Sequence, residues 1–221
     1  MGSVPEEITM EMMRASFYSA VVSDALDGKG YRNQCLGVSL PPLTGVNKLV
    51  GRCKTTLWEE IDFEDTEPYA LELKAVDACK PDEVLIAAAG GSMRSGIWGE
   101  LLTTASRNTG CVGAIIDGAI RDVAPIKTMG FPVFARGVSP YDSLHRQRVI
   151  SVDEPVEIGG VTLSSGDLVV ADEDGIVVVP EEVEAEVVRA AWEKVHAENE
   201  VRDSIRNGMS ATEAFETYGV L

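Results

Sequence analysis

Three observations on this 221-residue chain predict an α/β fold. Apolar residues recur at helical spacing near the N-terminus and again after residue 180. Short apolar runs, EVLIAAA at 83–89 and VGAII at 112–116, stand between helical stretches, and residues 149–179 form a succession of β-branched runs separated by turn glycines. Such alternation predicts a largely buried sheet covered by helices.

Taken in order, residues 9–27 (TMEMMRASFYSAVVSDALD) place Met12, Met13, Tyr18, Val21, Val22 and Leu26 near helical spacing. Thr9 is the expected N-cap and Gly28 the stop of one amphipathic helix. The Gly- and Pro-rich 36–45 is a loop, and KLVGRCKTTLW at 48–58 is a strand broken or bulged at Gly51. A helix near 68–79 leads to the strand at 83–89. Glycines 90, 91, 96 and 99 then predict a loosened turn opening into a helix over 100–109. A strand at 113–117 follows, closed by an Asp-Gly turn at Gly118 that puts Arg121 and Asp122 at the start of the next helix.

In the last third, VIS, PVEIGGVTL, LVVAD and GIVVV are expected as short antiparallel or mixed strands. Pro180-Glu181-Glu182 suits the start of a long helix running to about residue 206, with Gly208 as its end and SATEAFETYGVL as a last turn or two. With 45% hydrophobic residues, a mean hydropathy of +0.03 and no linker-like stretch, residues 1–221 are expected to form one domain, with 180–221 as a helical C-terminal extension.

Composition also narrows function. Nineteen basic against 36 acidic residues give a net charge of −17, which opposes long-range attraction to nucleic acid or to an anionic membrane. MGSVPEEITM has acidic residues where a signal peptide needs basic ones, and no 18-residue apolar run occurs, so a cytoplasmic location is expected. Cys35, Cys53, Cys79 and Cys111 lack CxxC spacing and read as reduced, mostly buried thiols. His145 and His196 are too far apart in sequence to suggest a histidine metal site and read as polar surface.

The most informative set is Glu100 followed, after a gap of 20 residues, by Arg121-Asp122. Asp122 is a hard oxygen ligand suited to a divalent cation, and Arg121 offers a rigid charged fork for a carboxylate. Glu100 is placed to hold a water or move a proton. By spacing alone, an adjacent Arg-Asp pair is more often a surface or helix-capping feature. Both segments follow predicted strands, where α/β sheets form ligand crevices, and a glycine-rich turn opening a helix presents N–H groups to an anion. Neither GxGxxG nor Walker A spacing is present, so a nucleotide is not indicated.

The run GIWGELLTTASRNTGCVGAIIDGAIRDVAPIKTMGFPVFARGVSP, followed by PVEIGGVTLSSGDLVVADEDGIVVVP, resembles the family of 4-hydroxy-4-methyl-2-oxoglutarate aldolases and proteins similar to the regulator of ribonuclease E activity. The resemblance spans roughly residues 15–210. It implies a swivelling β/β/α type of fold with a central αββα sandwich, assembled as a homotrimer or a dimer of trimers, with the C-terminal helices at a subunit interface. It also implies a Mg²⁺- or Mn²⁺-dependent aldolase that cleaves a 4-hydroxy-2-oxo acid to pyruvate and a second oxo acid and decarboxylates oxaloacetate.

Carried onto this chain, the resemblance makes Asp122 the metal ligand and Arg121 the substrate-binding arginine. Gly99, Glu100, Leu101 and Leu102 become the loop whose amides and acidic side chain complete the pocket. A further acid from a neighbouring subunit's C-terminal helix, Glu200 in preference to Glu198, is expected to hold a metal-bound water. No lysine lies in the motif, which disfavours a Schiff-base aldolase, with Lys127 as the nearest alternative. Trp98 is expected to pack beside the pocket, and loops 30–45, 58–68 and 138–148 to read the group on C4.

The rival of a different class is a non-catalytic protein that binds and inhibits an RNA-processing ribonuclease, as the regulator branch implies. A methyltransferase, a label attached to similar sequences, ranks last because no glycine-rich nucleoside-binding strand-turn is present.

Overall fold

The computed structural model describes residues 4–219. The first helical pattern is split in two, α1 (Met10–Ser16) and α2 (Ser19–Gly28), where one helix was expected. Phe17 and Tyr18 between them are extended, and Phe17 is fully buried. The break has a local cause: the Asp172 carboxylate accepts hydrogen bonds from the Ser19 N–H and hydroxyl, both at 2.6 Å, capping α2 from across the fold. Thr9 caps α1 through the Met12 N–H, as its sequence position predicts.

The next elements are β1 (Leu49–Glu60), α3 (Ala70–Asp77), β2 (Glu83–Trp98), α4 (Glu100–Asn108), β3 (Gly113–Ile120), α5 (Val123–Met129) and β4 (Val133–Val138). These alternate so that β1, β2, β3 and β4 are parallel neighbours, each joined to the next by one helix. β4, unassigned from the sequence pattern, completes this run. Then come β5 (Gln147–Val152), β6 (Val156–Ile158), β7 (Val161–Leu163), β8 (Leu168–Ala171) and β9 (Ile176–Val179). β8 and β9 extend the sheet antiparallel beyond β1, β5 pairs with the far half of β1, and β6-β7 is a separate hairpin. A 3-10 turn at Glu181–Val183 leads into α6 (Glu184–Arg206), and α7 (Ala211–Tyr218) starts with a Ser210/Glu213 capping box.

Side-chain alternation folds these strands into four layers. On β2, Leu85, Ala87 and Ala89 face α3, α4 and α5 together with Ile116, Ile120 and Val133. Val84, Ile86 and Ala88 face the other way, against Val169, Ala171, Ile176 and Val178 and the β6-β7 hairpin. The outer residues of β8 and β9, Leu168, Val170, Val177 and Val179, pack on α1, α2 and α6. Helices thus cover the outer faces of two halves of one continuous sheet, which gives the expected αββα order, with the long C-terminal helix on the outside.

Three glycine-based expectations need correction. β1 is unbroken at Gly51; a Cβ there would stand 2.5 Å from the Asp82 carbonyl oxygen, so the residue is small because two backbones meet. The strand's irregularity falls at Leu57/Trp58, opposite β5. The turn expected over residues 90–99 is strand: β2 continues through it with shifts in register against β3, and Gly90 and Gly91 take φ of 60° and 78°. Bulged strands and turns make the same demand for positive φ, so glycine spacing alone does not separate them. Likewise Asp117-Gly118 lies inside β3, where the buried Asp117 carboxylate accepts from Arg136 Nε at 2.6 Å.

Candidate active site

β2 and β3 end side by side, and their last residues aim the chain at one cleft. Trp98 closes β2 with its carbonyl accepting the Arg121 N–H at 2.8 Å, which locks the two strand ends together. Gly96 permits this approach, because a Cβ there would stand 2.5 Å from the Ser139 carbonyl oxygen and 2.9 Å from Arg121 Cβ. The result is a cleft of about 290 Å³ lined by residues of α3, the β2-α4 junction, Arg121-Asp122 and the loop at Asp142-Ser143.

Asp122 is the N-cap position of α5 and adopts a left-handed conformation, φ 57° and ψ 36°, which Asp tolerates better than most residues. Its side chain does not cap α5. It reaches back to α4, where Oδ2 accepts the Glu100 N–H at 3.1 Å at the positive end of that helix. Gly99 makes room: its backbone is extended, with φ −143°, but a Cβ would lie 2.6 Å from Asp122 Oδ2 and 3.2 Å from Arg121 Cγ.

Arg121 is bracketed by acids. Its Nη1 meets Asp142 Oδ2 at 2.8 Å and its Nε lies 3.9 Å from Asp122 Oδ2. About a third of the side chain is exposed, and Arg121 lines the cleft. Asp142 is itself held by the Tyr69 hydroxyl at 2.6 Å and the Leu144 N–H at 2.8 Å. Burial acts to raise the Asp142 pKa, but these hydrogen bonds and the Arg121 charge outweigh it and hold the carboxyl below its ordinary value. Tyr69 responds oppositely: burial first, then its bond to Asp142, pushes the phenol up to about 12.

The cleft thus brings together Gly99, Leu101, Leu102, Arg121 and Asp122 from the sequence-derived set. The carboxylate of Glu100 does not line it. Glu100 Oε1 accepts the Thr104 hydroxyl at 2.9 Å one turn along α4, so what this residue gives the site here is its backbone N–H. With that N–H on Asp122 and the Thr103 N–H on Gly99, the N–H groups of Leu101 and Leu102 are the pair at this helix end without an acceptor among the described residues.

Glu198 and Glu200 sit on α6, in the layer that covers β8 and β9, on the opposite side of the sandwich from α3, α4 and α5. Glu198 is tied within its own chain to the Tyr18 hydroxyl, with Lys194 and Arg202 nearby. His145 Nδ1 accepts the Asp65 N–H and His196 Nδ1 meets the Trp192 carbonyl, so both have local partners. Lys127 runs its aliphatic chain over Gly45 and is not a lining residue. Trp98 is buried beneath the site, stacked on Phe131 at 6.5 Å.

The lining of this cleft departs from the three loops expected to read the C4 group. Residues 30–45 and 58–68 contribute nothing to it, and from 138–148 only Asp142 and Ser143 do. The opposite wall is α3 and its N-cap: Tyr69, Glu72 and Leu73. Glu72 is 7% exposed, and its Oε2 is buried with no hydrogen-bond partner, which costs about 1–3 kcal/mol. Burial first, and then the charge of Asp142, push its pKa up to about 8, with Arg121 opposing. A lone glutamate in an amphipathic helix carries no sign of this in the sequence.

Whether the residues present suit a divalent cation turns on Asp122. Among the described residues no group of three or more His, Cys, Asp or Glu is placed to enclose a metal. The Asp122 side chain is 44% exposed and engaged through one oxygen, Oδ2. An open carboxylate beside a ligand cleft fits a Mg²⁺-type site, which takes one or two carboxylates and fills its remaining positions with water and substrate.

Fold and cleft together define an αββα chain with an Arg-Asp pair facing a ligand crevice at the ends of parallel strands. The family model described as RraA-like (Aldolase/RraA) matches residues 19–178, and the chain belongs to that family. A Halalkalibacterium halodurans protein with the provisional name 4-hydroxy-4-methyl-2-oxoglutarate aldolase is 31% identical over 195 residues, covering 88% of this chain and 87% of that protein. Protein DlpA of Legionella pneumophila is 30% identical over 202 residues, 90% of this chain but 32% of that longer protein, so the chain spans about a third of it. A solved structure of Streptomyces coelicolor RraAS2, described as an unusual member of the RNase ES inhibitor RraA protein family, matches with a TM-score of 0.77 and 29% identity, covering 91% of this chain and 99% of that one. No helix among the described residues is long and apolar enough to cross a membrane.

Proposed function

We propose that the chain is a divalent-metal-dependent carbon–carbon lyase that cleaves a 4-hydroxy-2-oxo acid to pyruvate and a second oxo acid, and that decarboxylates oxaloacetate. The observation that carries this reading is the placement of Asp122 and Arg121 side by side on one cleft, with Asp122 anchored to the head of α4. Asp122 is the residue that would hold Mg²⁺ or Mn²⁺, and the Glu100 carboxylate would join as a second acid on turning away from the Thr104 hydroxyl. Bound there, the cation supplies positive charge to the oxygen that becomes negative when the C3–C4 bond of a 2-oxo acid breaks.

The remaining work falls to the chain's own groups. The Arg121 guanidinium binds the substrate carboxylate, while Asp142 and the backbone bond to Trp98 fix it in place. The free N–H groups of Leu101 and Leu102 offer the same anion two further donors. A water held near Glu100 accepts the proton of the C4 hydroxyl. Decarboxylation of oxaloacetate leaves the same enolate, so one arrangement serves both reactions. In a homotrimer or dimer of trimers, α6 carries Glu200 toward a neighbouring copy's cleft, consistent with its position on the far layer of its own chain.

The test is pyruvate release from oxaloacetate and from 4-hydroxy-4-methyl-2-oxoglutarate, with Mg²⁺ or Mn²⁺ and with chelator. Cation-dependent release is expected, and its absence for both acids would remove the reading. Gly99→Ala is expected to displace the Asp122 carboxylate, raising the cation concentration for half-maximal activity roughly 10–100-fold, as read from a Mn²⁺ titration.

A second reading, a protein that docks on a ribonuclease, is favoured by the near-complete match to RraAS2 and by the −17 charge, which suits a basic partner surface. Inhibition of such a ribonuclease by a chain that turns over neither acid would select it.

A further inference from the structure

We propose that Tyr69 is a positioning residue of the cleft: acting through Asp142, it holds the Arg121 guanidinium in the orientation that receives the substrate carboxylate. The inference rests on the lyase reading and adds a residue to its machinery. Three observations carry it.

The first is that Tyr69 breaks two local rules at once. It stands at the N-cap of α3 with φ 65° and ψ 2°, in the left-handed region that favours glycine or asparagine, and its side chain makes no capping hydrogen bond. Strain of this kind in a bulky residue persists where the side chain serves a purpose elsewhere. That purpose is visible across the cleft, where the Tyr69 hydroxyl donates to Asp142 Oδ1 at 2.6 Å. The second observation is how the Asp142 oxygens are divided. Oδ1 accepts both the Tyr69 hydroxyl and the Leu144 N–H at 2.8 Å, which leaves Oδ2 for Arg121 Nη1 at 2.8 Å. Two donors on one oxygen fix the plane of the carboxylate, so the direction of Oδ2 is set before any ligand arrives.

The third is the alternative open to Arg121. Its Nε already lies 3.9 Å from Asp122 Oδ2, and all four residues, Tyr69, Arg121, Asp122 and Asp142, line one cleft. A guanidinium released from Asp142 is free to close on Asp122, which would neutralise the carboxylate that the lyase reading gives to the cation. Holding Arg121 on Asp142 keeps the two parts of the site separate. Burial first, and then the bond to Asp142, push the Tyr69 phenol up to about 12, so it remains a donor through the neutral range. Its proton is not transferred in the reaction.

The experiment measures kcat and KM at saturating Mg²⁺ for pyruvate release from oxaloacetate, or from 4-hydroxy-4-methyl-2-oxoglutarate where that acid is turned over faster. It is run on the wild type, Tyr69→Phe, Asp142→Ala and the double variant. Phenylalanine keeps the ring and removes only the hydroxyl, and KM does not depend on how much of a preparation is folded. Tyr69→Phe is expected to raise KM about 3- to 10-fold with kcat within about twofold, as weakened carboxylate binding requires. Asp142→Ala is expected to raise KM by about tenfold or more. In the Asp142→Ala background the tyrosine change should add less than about twofold, because its effect passes through a carboxylate already removed. An unchanged KM in Tyr69→Phe, or an equal rise in both backgrounds, overturns the inference and leaves the lyase intact. No pyruvate from either acid in the wild type removes the lyase reading, and the inference with it.

Discussion

Asp122→Asn is expected to lower kcat/KM for pyruvate release by about 10³-fold or more and to abolish its response to divalent cation. Asparagine keeps the shape and retains an oxygen to accept the Glu100 N–H, now 3.1 Å from Asp122 Oδ2, so the head of α4 stays tied to α5. What is lost is the negative charge. The accompanying cost in stability is of the order of 0.3–1 kcal/mol, the usual worth of a partly exposed anion at a helix N-terminus. Unfolding by urea and Mn²⁺ binding measured on the same preparation separate the two effects: an intact transition with no bound Mn²⁺ is the expected pair of results. Arg121→Lys should also lose activity while keeping its cation affinity, because lysine retains charge but not the fork that meets Asp142 and the substrate together. Wild-type turnover in Asp122→Asn would remove this carboxylate from the chemistry.

A buried sheet covered by helices was legible because it rests on periodicity, whereas the αββα order of the layers came from the family resemblance. The near-continuous apolar runs of β2, β8 and β9 report strands buried on both faces, and the helical pattern after Pro180 reports α6. Failures of the sequence reading fall where one residue type serves several backbone purposes. Gly90, Gly91 and Gly118 look like turn glycines, yet they lie in strands that bulge or approach closely. The split between α1 and α2 depends on Asp172, which lies more than 150 residues away in the chain and becomes a cap only after folding.

Legibility of the site divides in the same way. Arg121, Asp122 and the 99–102 segment were visible because they are a local motif at strand ends, and the structure gathers them on one cleft. Asp142, Tyr69 and Glu72 were not, since each acts through partners far away in sequence: Tyr69 to Asp142 spans 73 positions. For Tyr69 a trace exists only in the backbone, a left-handed φ of 65° that aims its hydroxyl at Asp142 from the N-cap of α3. Glu100 shows the reverse. Its position was read correctly at the head of a helix, but its carboxylate turns along α4 to Thr104.

Replacing Glu72 by glutamine should change how stability depends on pH more than any other single substitution at the cleft. The folded-state pKa of Glu72 is raised from 4.5 to about 8, by burial first and by Asp142 second. Between those values the native chain holds a proton that the unfolded chain has released, so stability falls as pH rises. The contribution is complete below about pH 4.5 and is lost as pH climbs through about 8. At 1.36 kcal/mol per pH unit the loss is on the order of a few kcal/mol, large against a typical domain stability of about 5–15 kcal/mol. Asp142 and Asp153, whose values are lowered, act in a separate window: their stabilisation is present above the ordinary aspartate pKa and disappears as acid protonates them. Buried Asp167, also raised, has the same sign as Glu72, but it is present in both proteins and cancels in their difference. Urea midpoints of the wild type and Glu72→Gln, taken from pH 5 to 8.5 at one protein concentration, should therefore converge at the acid end and separate at the alkaline end, with the variant the more stable. Parallel curves would mean that the Glu72 carboxyl is ionised in the native protein.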